Sequence, residues 1–289
     1  MSKLYYGTWE YWLPQLEDES VDLIYIDPPY GKEYISNIPG DKRWKTSDGT
    51  SDSKFHEHLM NDTQGGIPWG ELAKELYRVA KPDTYFFLHC DIPMLMDIGN
   101  DFCVDDQDNE LFRYKGRIAW NKGVANGGDP KGAQTRDWEP IIYFCKGAPQ
   151  FNPAQVWRKY KHSEKDTGEK DFEVKRGKKI KKFRAETRVL TTNERLQWND
   201  RLMECKDWVF SRPTKAEKVK FPTQKPIALA KRVVELTTKP GGVILDCFAG
   251  SGTAPLAAKE LGREYIAIEA DHQWVVKIEE RLGITSETQ

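Results

Sequence analysis

The sequence contains few cysteines and no arrangement of them that is typical of a metal site. Its five cysteines are odd in number, widely spaced and never form a C-x-x-C pair. Disulfide frameworks and zinc sites need paired or closely spaced cysteines, so we expect neither and predict reduced thiols. The five histidines also lack the spacing of metal ligands or an obvious catalytic position. The sequence therefore predicts no metal centre.

Long apolar runs are also missing. No stretch approaches the roughly 20 apolar residues of a membrane-spanning helix, and the first residues lack the apolar core of a signal peptide. The mean hydropathy of −0.71 indicates a very polar surface. We therefore predict a cytoplasmic protein without a membrane partner. Its 289 residues suffice for one large domain, or for one domain with a sizeable insertion.

Charge is unevenly distributed along the chain. Residues 156–220 contain 20 Lys and Arg against 11 Asp and Glu, whereas the rest contains 24 against 34, so the net charge of −1 conceals a basic segment. Such a concentration is typical of a surface that binds a polyanion, although a solvated basic loop has the same composition. The candidate nucleic-acid-binding residues are Lys175, Arg176, Lys178, Lys179, Lys181, Lys182 and Arg184.

Apolar periodicity predicts strands that alternate with helices. Helices are predicted at 69–79, 227–238, 254–261 and 272–282. Strands are predicted at 21–26, 84–90, 116–121, 140–146, 242–248 and 264–269. Lys81, Pro82 and Asp83 are expected to separate the first helix from the strand after it. The alternation predicts an α/β fold with a doubly wound, mostly parallel sheet.

Two segments interrupt this alternation. Residues 31–68 are rich in Ser, Asp, Gly and Lys and show no lasting periodicity, which predicts a mobile lid. Residues 150–220 carry the basic run and isolated aromatic residues, and we interpret them as an inserted region that contacts the substrate. The catalytic domain would then comprise residues 1–149 and 221–289.

The tetrapeptide Asp27-Pro28-Pro29-Tyr30 follows the apolar strand at 21–26. Two consecutive prolines fix φ and remove two backbone donors, so the strand must end here. A carboxylate, a carbonyl and an aromatic ring are thereby placed at the C-terminal edge of the sheet, where ligands bind in open α/β folds. Two acceptors beside a ring suit a planar group that carries an NH2. Taken alone, however, the tetrapeptide favours an ordinary proline-rich turn.

A second candidate site begins at Asp246, where another predicted strand ends. The residues that follow, Phe248-Ala249-Gly250-Ser251-Gly252-Thr253, lead into a helix. Glycines let a ligand approach the backbone closely, and a helix N-terminus supplies N–H donors. Glu269, at the end of the next strand, is placed to accept hydrogen bonds from ribose hydroxyls. The unit as a whole predicts a nucleoside-binding site.

A dinucleotide fits this second site less well than a cationic nucleoside does. Pro255 occupies the position of the third glycine of a dinucleotide-binding loop, and no Gly-Lys-Ser or Gly-Lys-Thr is present. Asp246 would repel a pyrophosphate but attract a cation. A sulfonium on a nucleoside meets these requirements, so S-adenosylmethionine is the predicted cofactor and a nicotinamide dehydrogenase is disfavoured.

Together these motifs resemble those of amino-methylating DNA methyltransferases, specifically the β class with circularly permuted motif order. Residues 27–30 are similar to the catalytic motif of that family and residues 248–253 to its S-adenosylmethionine loop. Residues 221–226 are similar to the segment that precedes the loop and lines the cofactor pocket. That similarity assigns cofactor contacts to Thr223, Gln224 and Lys225. The resemblance covers residues 4–30, 69–147 and 221–282.

The resemblance implies a Rossmann-like methyltransferase fold and methylation of N6 of adenine in double-stranded DNA, because an Asp at the first motif position goes mostly with adenine in that family. Asp27 and the Pro28 carbonyl would accept hydrogen bonds from the amine, beside the rigid Pro29. Tyr30 would stack on a base flipped out of the duplex, facing Phe248 across the strand edge. The basic insertion would serve target recognition through phosphate contacts. Such an enzyme is expected in a prokaryotic cytoplasm, or in a host cytoplasm if a phage encodes it.

Three alternatives fit parts of the pattern: a cytosine-N4 DNA methyltransferase, an RNA amine methyltransferase, and a non-catalytic nucleic-acid-binding protein of the same fold. The family's usual Gly-Asp near the N-terminus is Gly7-Thr8 here, so Trp9 or Glu10 becomes a candidate for its cofactor contact. Residues 136–139 are a candidate lining for the pocket of the flipped base, but an ordinary strand edge is the preferred interpretation. The recognition sequence, homodimerisation, a cognate restriction endonuclease and the general base are left open.

Overall fold

The computed structural model describes the side chains and backbone of most of the predicted catalytic domain. It covers residues 2–29, 67–90, 101–122, 138–151, 208–221 and 223–284, and the backbone of 170–176 and 179–185. The strands are β1 (Lys3–Tyr6), β2 (Val21–Ile26), β3 (Ala80–His89), β4 (Arg113–Asn121), β5 (Trp138–Cys145), β6 (Lys170–Arg176), β7 (Lys179–Ala185), β8 (Trp208–Val209), β9 (Val243–Asp246) and β10 (Glu264–Glu269). The helices are α1 (Trp9–Trp12), α2 (Trp69–Val79), α3 (Ile227–Thr237), α4 (Thr253–Glu260) and α5 (His272–Leu282).

Eight of the described strands form one mostly parallel sheet in the order β1-β10-β9-β2-β3-β5-β4-β8. The first five in this order are parallel neighbours. Strand β5 is antiparallel to both β3 and β4, and β8 is parallel to β4. The predicted α/β fold with a mostly parallel sheet is therefore confirmed.

Both faces of this sheet are buried, which explains why its central strands are almost continuously apolar. Alternate residues of β3 enter different clusters, because successive side chains of a strand point to opposite faces. Phe87 belongs to the cluster that includes α3, α4 and α5, whereas Phe86 belongs to the cluster that includes α2. Helices on both faces make the sheet doubly wound and fix the register of its strands.

The sequence locates the ends of α5 because both ends carry capping residues. The Asp271 side chain accepts a hydrogen bond from the backbone N–H of Gln273 at 2.8 Å, which caps the first turn. Gly283 ends the helix with φ of 59°, a left-handed conformation that glycine adopts without steric cost. The bounds predicted for β2, α2, β10 and α5 are all confirmed.

Strand β9 ends earlier than predicted, at Asp246 instead of Phe248. Asp246 Oδ1 accepts a hydrogen bond from the N–H of Phe248 at 3.1 Å, which turns the chain. Asp side chains commonly bond to the backbone two residues ahead, in competition with a strand ladder. The turn brings the glycine-containing residues to the strand end.

The expectation that Lys81, Pro82 and Asp83 separate a helix from a strand was wrong. Strand β3 begins at Ala80, directly after α2, and these residues form an irregularity within it. Asp83 has a φ of 63°, and its Oδ1 accepts the Ala148 N–H at 2.7 Å. This side-chain bond joins the irregular part of β3 to the segment that follows β5.

The basic run lies on a strand hairpin that the sequence did not predict. Strands β6 and β7 pair antiparallel, with Arg176 opposite Lys179. Lys178 and almost all of the predicted lid lie outside the described residues, as does Tyr30. Strand β8, also unpredicted, joins the main sheet beside β4. The boundary of the insertion at 150–220 stays a prediction.

Candidate active site

The C-terminal ends of β2 and β9 lie side by side in the sheet. The strands are parallel neighbours, with Leu23 opposite Ile244 and Ile24 opposite Leu245. Asp27, just after β2, and Asp246, at the end of β9, therefore reach the same edge of the sheet. Two motifs that are far apart in the chain meet there, as the motif order predicted.

The glycine loop after β9 is closed by the carboxylate of Glu269. The Gly250 N–H donates to Glu269 Oε2 at 2.6 Å, and the Asp271 N–H donates to Oε1 at 2.9 Å. Gly250 and Gly252 both have positive φ, 52° and 73°. The predicted unit of strand, glycine turn, helix, strand and carboxylate thus folds into one compact group, and Glu269 is held directly beside the loop.

We expect the variant Gly252→Ala to lower the free energy of unfolding by about 1 to 3 kcal/mol. A left-handed φ strains alanine, and its Cβ would lie 3.0 Å from Ile278 Cγ1 of α5. Gly262→Ala is the matched control, because Gly262 has φ of 70° but nothing within 4 Å of an added Cβ. Urea unfolding of both variants measures the difference. Equal losses of unfolding free energy in the two variants would show that the contact with Ile278 makes no contribution.

Asp246 is a buried acid at the centre of the sheet edge. Burial is the main reason why its pKa lies well above the ordinary 3.8, and the charges of Asp27 and Glu269 raise it further. The native state therefore holds this proton more tightly than the unfolded chain. The contribution of Asp246 to the free energy of unfolding is therefore largest at pH values below its ordinary pKa. It is lost as the pH rises through the raised pKa of the folded state.

The variant Asp246→Asn should consequently be more stable than the parent protein at pH 8. The amide oxygen can still accept a hydrogen bond from the Phe248 N–H, but the side chain carries no charge to bury. We therefore expect a thermal unfolding midpoint about 2 to 4 °C higher. Calorimetry at pH 8 and at pH 5 checks this, and the advantage should shrink at the lower pH. A midpoint that is unchanged or lower at pH 8 would contradict it.

Residues 221–226, which were predicted to line the cofactor pocket, make contacts of different kinds. Gln224 is buried, but its side chain bonds to the backbone of its own loop, accepting from Val219 N–H at 3.0 Å and donating to the Glu217 carbonyl at 2.9 Å. Thr223 is exposed. The carbonyl of Lys225 accepts from Thr253 Oγ1 at 3.2 Å, which joins this segment to the glycine loop.

The side chain of Lys225 extends away from that carbonyl contact to Asp27. Its Nζ lies 2.7 Å from Asp27 Oδ2 and 3.6 Å from Glu139 Oε2. Glu139 Oε1 in turn accepts a hydrogen bond from Lys122. The ammonium of a residue predicted to bind the cofactor thus contacts the carboxylate predicted to bind the amine.

A known protein family matches the part of the chain that contains these strands and loops. The chain matches the model of a family described as N6_N4_Mtase, DNA methylase, over residues 21–280. The protein belongs to this DNA methylase family. It is 28% identical over 285 residues to the DNA adenine methyltransferase YhdJ of Escherichia coli (strain K12), covering 95% of this chain and 80% of that protein.

Two further similarities agree with this membership. The Type II methyltransferase M2.DpnII of Streptococcus pneumoniae is 29% identical over 286 residues, which are 96% of this methylase and 87% of the relative. The crystal structure of the M1.HpyAVI–SAM complex has the same fold, with a TM-score of 0.57 and 19% identity, and the match covers 98% of this chain and 100% of that one.

Four polar residues near Asp27 in this methylase were not predicted from the sequence. Glu139 was interpreted as part of an ordinary strand edge; it lies at the start of β5, and its side chain contacts Lys225, which that interpretation did not include. Tyr25 donates or accepts a hydrogen bond with His89 Nε2 at 2.7 Å beneath the site. Tyr25 precedes Asp27 by two positions, a spacing that could have indicated a shared face. Lys122 offered no comparable signal.

Tyr25 and His89 form a neutral buried pair in this methylase. Burial lowers the pKa of His89 well below its ordinary 6.5, and the Lys225 charge lowers it further. Burial also raises the pKa of Tyr25 well above 10.0, helped by the charge of Asp27. Neither side chain therefore changes the net charge of the site near neutral pH.

Thr8 of this methylase stands where the family usually has an Asp near the N-terminus. Thr8 precedes α1 and makes no side-chain capping bond. Trp9 is buried in the apolar cluster beside α2, whereas Glu10 is exposed and its charge acts on the thiol of Cys247, which follows Asp246. Of the two candidate substitutes, Glu10 has the accessible polar group near the glycine loop.

The described residues contain no other cofactor signature. In this part of the methylase, no group of three or more His, Cys, Asp or Glu side chains is arranged to hold a metal ion. No described helix is long and apolar enough to cross a membrane.

Proposed function

We propose that this DNA methylase transfers a methyl group from S-adenosylmethionine to N6 of adenine in duplex DNA. The observation that carries the proposal is that Asp27 and the glycine loop occupy neighbouring strand ends. Asp27 and the Pro28 carbonyl supply acceptors for an amine, while the loop suits a nucleoside. Methyl transfer needs both partners within reach of each other, and positioning of this kind is a large part of catalysis.

The residues around the loop fit S-adenosylmethionine. A Cβ added at Gly250 would lie 2.9 Å from Phe221 Cζ, so glycine lets the loop pack against the segment that was predicted to line the cofactor pocket. Glu269 presents a carboxylate for ribose hydroxyls, and the buried acid Asp246 would gain an oppositely charged partner in a sulfonium. When bound, S-adenosylmethionine supplies an electrophilic methyl group. The similarity to M1.HpyAVI, solved in complex with SAM, supports this choice.

Asp27 and Pro28 would make the target amine reactive. An exocyclic amine is a poor nucleophile because its lone pair is delocalised into the ring. Hydrogen bonds from its two hydrogens to the Asp27 carboxylate and the Pro28 carbonyl favour a pyramidal nitrogen with a localised lone pair. That nitrogen forms the bond to the methyl carbon, the electron pair of the broken carbon–sulfur bond stays on sulfur, and the amine loses one proton towards Asp27 and solvent.

Adenine is favoured over cytosine by the Asp at the first motif position and by the relative YhdJ, which is named as a DNA adenine methyltransferase. The family description covers both N6 and N4 methylation, so cytosine-N4 is the second candidate. Either amine is hidden inside a duplex, and the base would have to be flipped out, with Tyr30 stacking on its face.

Phosphate contacts are assigned to the basic hairpin, because β6 and β7 carry a run of cationic residues. Counterion release from phosphates would make binding strongly salt-dependent. Similarity to a Type II methyltransferase makes a cognate restriction endonuclease a candidate partner.

Transfer of a labelled methyl group to duplex DNA, followed by hydrolysis to nucleosides and chromatography, tests the proposal. We expect label in N6-methyladenine nucleoside. Label in N4-methylcytosine nucleoside would select the second candidate, and label only in an RNA substrate would reject DNA as the target.

A further inference from the structure

Four side chains from four separate segments form a continuous chain of charges at the sheet edge. Lys122 follows β4, Glu139 lies in β5, Lys225 precedes α3, and Asp27 follows β2. Lys122 bonds to Glu139, and the Lys225 ammonium lies between Glu139 and Asp27. Two cations and two carboxylates alternate, so the group is neutral as a whole. We call this group the charge chain.

The charge chain is largely shielded from solvent. Only 7% of the Lys225 side chain is exposed, and Lys122 is exposed by 12%. Burial, the largest single effect, lowers the pKa of Lys225, but Asp27 and Glu139 together raise it above the ordinary 10.5. Burial also raises the pKa of Glu139, but Lys225 and Lys122 outweigh it and lower the pKa overall. The charged forms of Lys225 and Glu139 are therefore both favoured where they meet.

The distances within the charge chain are unequal. Lys225 Nζ is at hydrogen-bond distance from Asp27, 2.7 Å, but 3.6 Å from Glu139 Oε2. Glu139 Oε2 is buried and has no hydrogen-bond partner among the described residues. A carboxylate in this condition is costly unless its charge acts on something nearby. Lys122 bonds to the other oxygen, Oε1, whereas Lys225 lies 3.6 Å from Oε2, so Glu139 attracts the same ammonium that Asp27 holds.

We infer that Lys225 and Glu139 are positioning residues for the Asp27 carboxylate: Lys225 holds it in place against the repulsion of Asp246, and Glu139 acts through Lys225. The inference rests on the proposed role of Asp27 as an acceptor for the target amine. Asp27 and Asp246 end neighbouring strands, and the charge of Asp27 raises the pKa of Asp246, so negative charge on both is unfavourable unless a cation lies beside Asp27. The Lys225 ammonium supplies that cation from a segment whose backbone is joined to Thr253 of the glycine loop.

A purely structural ion pair makes a different prediction. Replacing one member of a buried pair lowers stability whatever its function. If Lys225 only stabilised the fold, folded molecules of a variant would transfer methyl groups at the parent rate. If it positions Asp27, the rate in folded molecules falls while the affinity for the cofactor is kept.

The test compares Lys225→Met with Lys225→Arg and the control Lys231→Met, which removes a lysine that pairs with Glu260 on the surface of α3 and α4. Single-turnover methyl transfer, cofactor affinity by calorimetry and thermal unfolding are measured for each. We expect Lys225→Met to slow transfer about tenfold to a hundredfold, with unchanged cofactor affinity. Lys225→Arg should recover most of the rate, and Lys231→Met should match the parent.

Glu139→Gln supplies the second half of the test. It should slow transfer in the parent background but have no further effect in the Lys225→Met background, because Glu139 acts through Lys225. If instead the rate losses of the two single variants multiply in the double variant, the claim that Glu139 acts through Lys225 is overturned. If Lys225→Met does not fold, Glu139→Gln still decides, since a parent rate in the folded Glu139→Gln variant would overturn the inference. Asp27→Ala in the same assay separates the failures: a parent protein without transfer to DNA rejects the proposed function, and a fully active Asp27→Ala rejects the role of Asp27 as acceptor. An inactive Asp27→Ala beside a fully active Lys225→Met rejects only the positioning role.

Discussion

Asp27→Ala is expected to slow methyl transfer by about a thousandfold or more, the scale seen when a preorganised acceptor or donor is removed from an active site. The variant removes one of the two acceptors proposed for the target amine, so the nitrogen lone pair stays delocalised. It also leaves the Lys225 ammonium without its partner at 2.7 Å. Single-turnover transfer of a labelled methyl group to duplex DNA measures the loss.

Cofactor binding should be largely spared in Asp27→Ala, because the glycine loop follows β9 and Glu269 ends β10, whereas Asp27 follows β2. Asp22→Ala is a useful control, since Asp22 starts in the same strand but pairs with Lys81 and the Val243 N–H at the opposite end. It should lose stability while its folded fraction keeps the parent rate. Full activity of Asp27→Ala would contradict the proposed mechanism.

Glu269→Ala is expected to weaken cofactor binding by about tenfold to a hundredfold, the range for hydrogen bonds to a charged group. Two effects combine. The ribose loses its proposed acceptor, and the N–H groups of Gly250 and Asp271 lose theirs. Calorimetric titration with S-adenosylmethionine measures the change in Kd, and saturating cofactor should restore much of the transfer rate.

Glu280→Ala is the matched control for Glu269→Ala. Glu280 is an exposed carboxylate of α5 that pairs with Lys277 on the surface, and such pairs contribute about 0 to 1 kcal/mol. It should leave the Kd unchanged. A Kd for Glu269→Ala equal to that of this control would remove Glu269 from the cofactor site.

The fold was predictable because its core strands and helices carry strong local signals. Val21–Ile26 is an unbroken apolar run that two prolines terminate, and α5 has a capping Asp and a terminal glycine. Strand β1 has neither signal. It is a four-residue edge strand in which only Leu4 is buried, and its pairing with β10 depends on residues more than two hundred positions away.

The site was predictable only where the residues stand in a motif. Asp27 and Glu269 stand at strand ends, the two glycines of the loop come shortly after β9, and parallel strands bring their ends to one edge. Glu139 follows no such rule, because a glutamate at the start of a strand is usually exposed. Its partners Lys122 and Lys225 come from other segments, and no spacing along the chain connects them.

The adjacency of β2 and β9 also has a consequence for how the molecule forms. Strand β2 is made early during synthesis, but its neighbour β9 begins only at Val243. Until that part of the chain emerges, β2 presents one unpaired, apolar edge, a surface prone to incorrect pairing. Contacts this distant in sequence are slow to form. The nascent chain therefore cannot bring its two motifs together until most of its length has been translated.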